Sequence, residues 1–155
     1  MMAYRQYRFM VNKKWLAVLL LLGAGLITKA QDIPLTVIGN VAGVPSALKY
    51  ADLISVMKGN RQRWTDGTKV SIYLMKTTTP IGESTCKKVY NMSGDRVKKY
   101  WLELSFSGKG DIFICNSVEQ LESGISQNPG AIGVMDKTSD AAGIKVVLID
   151  GKNTF

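Results

Sequence analysis

Four short apolar runs set the limits on this fold. Residues 33–40 (IPLTVIGN), 70–75 (VSIYLM), 131–135 (AIGVM) and 144–149 (IKVVLI) are rich in β-branched and aliphatic residues. Near-continuous runs of this kind read as strands covered on both faces. Helical stretches lie between them. Ser46 offers an N-cap to a helix carrying Leu48, Leu53, Ile54, Val56 and Met57, with Gly59 as its stop. Thr79 and Pro80 start a second helix that runs to about Tyr90, because Thr caps and Pro is preset for a first helical position. A third helix is predicted over about 95–104. Ser117 and Gln120 have the spacing of a capping box, and that helix ends at Asn128-Pro129-Gly130. Trp64-Thr65-Asp66-Gly67 reads as a turn. The alternation predicts an α/β fold: a single three-layer lobe with a mixed, mostly parallel sheet flanked by helices. In such sheets ligands bind beyond the carboxyl ends of the strands, against helix N-termini.

Residues 1–30 read as a secretory signal peptide, which leaves 31–155 as the folded domain. Arg5, Arg8, Lys13 and Lys14 make a basic, acid-free start, and 13 apolar residues follow from Trp15 to Ile27. Thr28-Lys29-Ala30 then supplies small residues for cleavage after Ala30. The apolar run falls short of the ~20 residues of a spanning helix, so no stable membrane span is expected after cleavage. An uncleaved anchor is the rival reading. The expected location is periplasmic or secreted.

The whole chain carries a net charge of +8. Five of its 20 basic residues and none of its 12 acidic ones lie in the leader, so the remainder is only +3. That balance suits an anion binder and equally an ordinary solvated surface. No Lys/Arg stripe interleaved with aromatics points to nucleic acid. The chain has no histidine, which removes Ser-His-Asp and Cys-His catalysis and the commonest zinc ligand. With no nucleophile-elbow pattern and no clustered carboxylates, no enzyme and no cofactor are expected. Cys86 and Cys115 read as two small buried hydrophobes, though an oxidising compartment would also permit a disulfide.

Three segments, in order, resemble a known family. They are Ala51-Asp52-Leu53-Ile54-Ser55-Val56-Met57-Lys58-Gly59 with Arg63-Trp64-Thr65-Asp66-Gly67; Tyr100-Trp101 with Phe106-Ser107-Gly108-Lys109-Gly110; and Asn128-Pro129-Gly130-Ala131-Ile132-Gly133. Together they resemble the second lobe of phosphate ABC transporter substrate-binding proteins, which have the type II periplasmic-binding-protein fold. The resemblance covers nearly all of residues 33–151. It implies one lobe of a fold that closes two lobes around its ligand, with the first lobe absent. Each segment also has a plain structural reading. Tyr100, Trp101 and Phe106 read as core aromatics, and Gly130 and Gly133 as places where backbones approach closely.

The loop from Lys76 to Thr85 (KTTTPIGEST) joins the end of a buried strand to a helix start. Expected ligand contacts are the hydroxyls of Thr78 and Thr79 and the amides of Ile81 and Gly82, with charge from Lys76. Asn40, at the end of the first strand, is expected to face the same crevice. The resemblance implies Ser or Thr in this loop and an Arg just inside the helix. Here Gly82 stands in the place of that Arg, and Thr85 in the place of an aromatic. A capped helix start needs the same Thr and Pro with no ligand at all. Two functions follow. One is an exported single-lobe substrate-binding-like protein that binds phosphate or another small oxyanion, alone or as a homodimer. The other is a non-transport envelope interaction module with a decayed ligand site, whose surface contacts an envelope protein partner.

Overall fold

The structure, a computed structural model, describes residues 33–155. The boundary predicted after Ala30, with its leader, lies outside the described residues. Six strands form one mixed sheet: β1 Thr36–Asn40, β2 Ala47–Leu48, β3 Ser71–Met75, β4 Asp111–Cys115, β5 Ala131–Met135 and β6 Ile144–Ile149, in the order β2-β6-β1-β5-β3-β4. β4, β3 and β5 are parallel to one another, and β2 is parallel to β6. β1 is antiparallel to both of its neighbours, β5 and β6. Five strands therefore run one way and the central β1 runs the other.

Four α-helices accompany the sheet among the described residues: α1 Tyr50–Met57, α2 Pro80–Thr85, α3 Gly94–Phe106 and α4 Val118–Gln127. A π-helical segment, Cys86–Tyr90, continues α2 and ends at Asn91, which takes the left-handed conformation. α4 covers one face of the sheet. A Cβ on Gly124 would overlap the Tyr73 ring, and one on Gly133 would meet Ile125 and Leu121, so this face packs closely. α2 lies on the opposite face against β3 and β5, and α3 packs against β4 and the π-helical segment. Leu35, Val37, Ile38, Ile72, Leu74, Ile132, Val134 and Val147 form the centre of the core.

The four predicted strands share this sheet, and the structure departs from the prediction in three places. The helix expected from Ser46 begins at Tyr50. Residues 47–48 are drawn instead into pairing with β6, and the Leu148 amide donates to the Ser46 carbonyl at 2.9 Å. The Asp150 carboxylate, from the far end of the chain, accepts from the Tyr50 amide at 3.2 Å and replaces the predicted cap. The sequence reading missed β4. Phe106, expected in the core, is 84% exposed at the end of α3, whereas Trp101 is buried.

Helix ends otherwise follow their side chains. Ser117 accepts from the Gln120 amide at 3.3 Å, and the Gln120 side-chain oxygen accepts from the Asn116 amide at 2.8 Å. Trp64 is buried in its turn and donates its indole N–H to the Gly130 carbonyl at 2.9 Å. The chain end is tied back to the start of the sheet, since Leu35 and Phe155 exchange backbone hydrogen bonds of 3.2 and 3.0 Å.

Candidate functional site

β3 delivers its carboxyl end, Met75, to the edge where the parallel strands finish. The ladder continues one residue further, because the Lys76 amide donates to the Cys115 carbonyl at 3.1 Å. The chain then turns sharply. The Thr79 amide donates to the Lys76 carbonyl at 3.0 Å and the Thr79 hydroxyl donates to the same oxygen at 2.8 Å. Thr79 Oγ1 in turn accepts from the Gly82 amide at 3.1 Å. Thr79 is thus a helix cap whose one proton is committed to the backbone, and Gly82 has its amide committed to Thr79.

The six predicted ligand residues separate on this geometry. Lys76 and Thr78 are exposed on the loop and border the same groove. Thr79 and Gly82 close the loop on itself. Ile81 is buried by its side chain and stands at the start of α2. Asn40 is not brought to the loop. β1 runs against β5, so Asn40 lies at the opposite edge of the sheet, where Gly39 pairs with Ile132. Its amide nitrogen donates to the carbonyls of Ile125 and Ser126 at 2.8 and 3.0 Å, and its oxygen accepts from the Ala42 amide at 2.8 Å. Asn40 ties off the end of α4.

Gly82 also shows why no Arg stands there. A Cβ at this position would overlap the Lys76 carbonyl, and the Thr77 backbone lies just behind. The tight turn of the loop and a side chain at position 82 exclude each other.

The groove beside the loop has a volume of about 520 Å³ and lies between α3 and the edge strand β4. Lys76, Thr77, Thr78 and Lys98 form its polar end, and Trp101, Leu102, Ser105, Ile112 and Ile114 line the rest. Lys98 and Thr77 are additions to the residues legible in the sequence. Lys98, Trp101, Leu102 and Ser105 follow the i, i+3, i+4, i+7 spacing of a single helix face. That face meets the loop only because β4 lies beneath it, and the signal is lost once β4 is missed.

Among the described residues no group of His, Cys, Asp and Glu is placed to hold a metal ion, and no helix is long and apolar enough to cross a membrane. Cys86 and Cys115 are both buried free thiols, and burial pushes both up from the ordinary thiol range.

The fold is that of the substrate-binding proteins of phosphate transporters, over part of their length. It is similar to an ABC-type phosphate transport receptor from Vibrio cholerae, with a TM-score of 0.60 at 13% identity over 79% of this chain and 48% of the receptor. It is also similar to a phosphate ABC transporter substrate-binding protein from Clostridium perfringens solved with bound phosphate (TM-score 0.59, 10% identity, 77% of this chain and 46% of that one). PstS from Borrelia burgdorferi gives a TM-score of 0.59 at 13% identity, over 77% and 48% of the two chains. The chain spans about half the length of these proteins. No family model and no curated protein matches the sequence.

Proposed function

We propose that this chain is an exported, substrate-binding-like lobe that holds phosphate or another small oxyanion at the Lys76–Thr78 loop, and that it binds rather than catalyses. One observation carries the reading: two ammonium groups, Lys76 and Lys98, and two hydroxyls, Thr77 and Thr78, border one end of a single groove at the carboxyl edge of the parallel strands. In open α/β sheets that edge is where ligands bind. The structural neighbours named for phosphate transport support an oxyanion as the ligand, and the basic, acid-free start of the chain supports export with cleavage after Ala30.

Without a guanidinium the site has point charges but no bidentate fork. Affinity is therefore modest, and it falls as salt screens the exposed lysines over ~8 Å at physiological ionic strength. The test is calorimetric titration of the purified protein with inorganic phosphate at low and high salt, repeated on Lys76→Met and Lys98→Met. Binding that weakens in both variants and in salt is the expected result. No heat in any condition, with the protein folded, would remove the reading. N-terminal sequencing of the protein from the envelope fraction tests export, with Gln31 expected as the first residue.

A further inference from the structure

The groove at the Lys76–Thr78 loop is larger and more apolar than a bare oxyanion requires. Its volume of about 520 Å³ falls within the ~300–1,000 Å³ of sites that enclose organic ligands. One phosphorus and its oxygens would leave most of it empty. Its chemistry is also divided along its length. Lys98, Trp101, Leu102 and Ser105 lie along one stripe of α3, while Ile112 and Ile114 point to the same side of β4. From Lys98 to Ser105 the helix rises roughly 10 Å, at 1.5 Å per residue. Apart from Ser105, whose hydroxyl is spent on the Trp101 carbonyl at 2.9 Å, the polar residues gather at the Lys98 end and the apolar walls extend away from it.

Two further features point to a ligand. Leu102 and Ile114 are 57% and 40% exposed, adjoining apolar surface on two different elements. Thr77, only 5% exposed, also borders the groove. No carboxylate lines the groove. Asp95 meets Lys98 at 3.4 Å from an almost fully exposed position, an ion pair weak enough for a ligand to displace.

Resting on the oxyanion reading, we propose that the ligand is an amphiphilic phosphate monoester. Its head lies among Lys76, Thr77, Thr78 and Lys98, and an aryl or short alkyl body lies against Trp101, Leu102, Ile112 and Ile114. The ester oxygen joins the two at the loop end of the groove.

The experiment compares inorganic phosphate, phenyl phosphate and phenol by calorimetry on the whole protein, with sedimentation velocity run alongside. Phenyl phosphate should bind at least tenfold more tightly than inorganic phosphate, and phenol should give no signal. In Leu102→Gln, which alters an exposed helix position, the ratio between the two phosphates should collapse toward one. Equal binding of both phosphates to the unaltered protein would overturn the proposal and leave the oxyanion reading standing. No binding of either would overturn both. Phenol binding as well as phenyl phosphate would mean an apolar site without a head group, against the proposal. A stable dimer that Phe113→Lys dissociates would show a second copy covering the β4 edge, and would also overturn it.

Discussion

The Thr79 hydroxyl is committed at both ends, donating to the Lys76 carbonyl and accepting from the Gly82 amide. Thr78, its neighbour, is exposed and borders the groove. The two should therefore separate in mutagenesis. Thr79→Ala should lower stability by about 1 kcal/mol, the usual cost of losing a cap, as read in urea unfolding. Thr78→Ala should leave stability unchanged and weaken phosphate binding. Equal effects of both on either measurement would contradict this division. Two glycines make a second contrast. Gly82 has an ordinary helical backbone but no room for a Cβ, whereas Gly67 has φ of +87° and nothing near it. Gly82→Ala should cost ~3 kcal/mol or more, because the clash is with backbone that cannot swing aside. Gly67→Ala should cost only ~1–2 kcal/mol, the penalty of a left-handed L-residue, and Gly67→Asn less still. An intact, fully stable Gly82→Ala protein would show that the loop is softer than its packing indicates.

At the scale of elements, Asn40 joins the end of β1 to the last carbonyls of α4. Asn40→Ala should strip both bonds and cost ~1–3 kcal/mol, with faster amide exchange confined to the last turn of α4 and the residues after Asn40. Unchanged exchange there would remove Asn40 as the tie. That the strand ends at Asn40 is legible in its own composition. Its direction is not, because its partners are Ala131–Met135 and Ile144–Ile149, far along the chain. The same limit explains β4. Asp111–Cys115 is a charged residue and a four-residue apolar run next to a glycine-flanked lysine, and so short a run has no periodicity that separates strand from buried helix. The helix start at Thr79-Pro80 was legible because capping is local. The switch to π-helix at Cys86 was not; its last residue, Tyr90, is anchored to the Met57 carbonyl at 2.9 Å, a partner far away in sequence. Local chemistry thus located the loop, and the long-range strand order decided which residues came to share its groove.

At the scale of the whole molecule, stability should depend on alkaline pH through groups held neutral in the core. Burial pushes the Tyr90 phenol far above its ordinary value, and burial likewise raises the thiols of Cys86 and Cys115, with the Glu83 charge adding to Cys86. The folded protein keeps these protons where the unfolded chain has lost them. Their contribution is therefore complete below the unfolded thiol range near ~8.5, and it declines as pH rises through that range and then through ~10 for tyrosine. Urea midpoints at pH 7.5 and 9.5 should fall between the two. The fall should be smaller in Cys86→Ala, Cys115→Ala and smaller again with Tyr90→Phe added. A midpoint that rises with pH would reverse the assignment.

β1 lies at the centre of the sheet, between strands that begin roughly a hundred residues downstream. On the ribosome, the segment that will be the middle of the sheet emerges early and has nothing to pair with until β5 and β6 have been made. Contacts this distant in sequence form slowly, over milliseconds to seconds in small domains, because each must first close a long loop. A nascent chain with its keystone strand unpartnered cannot complete the sheet until nearly all of it has been made. The topology itself therefore delays closure of the sheet until synthesis is almost complete.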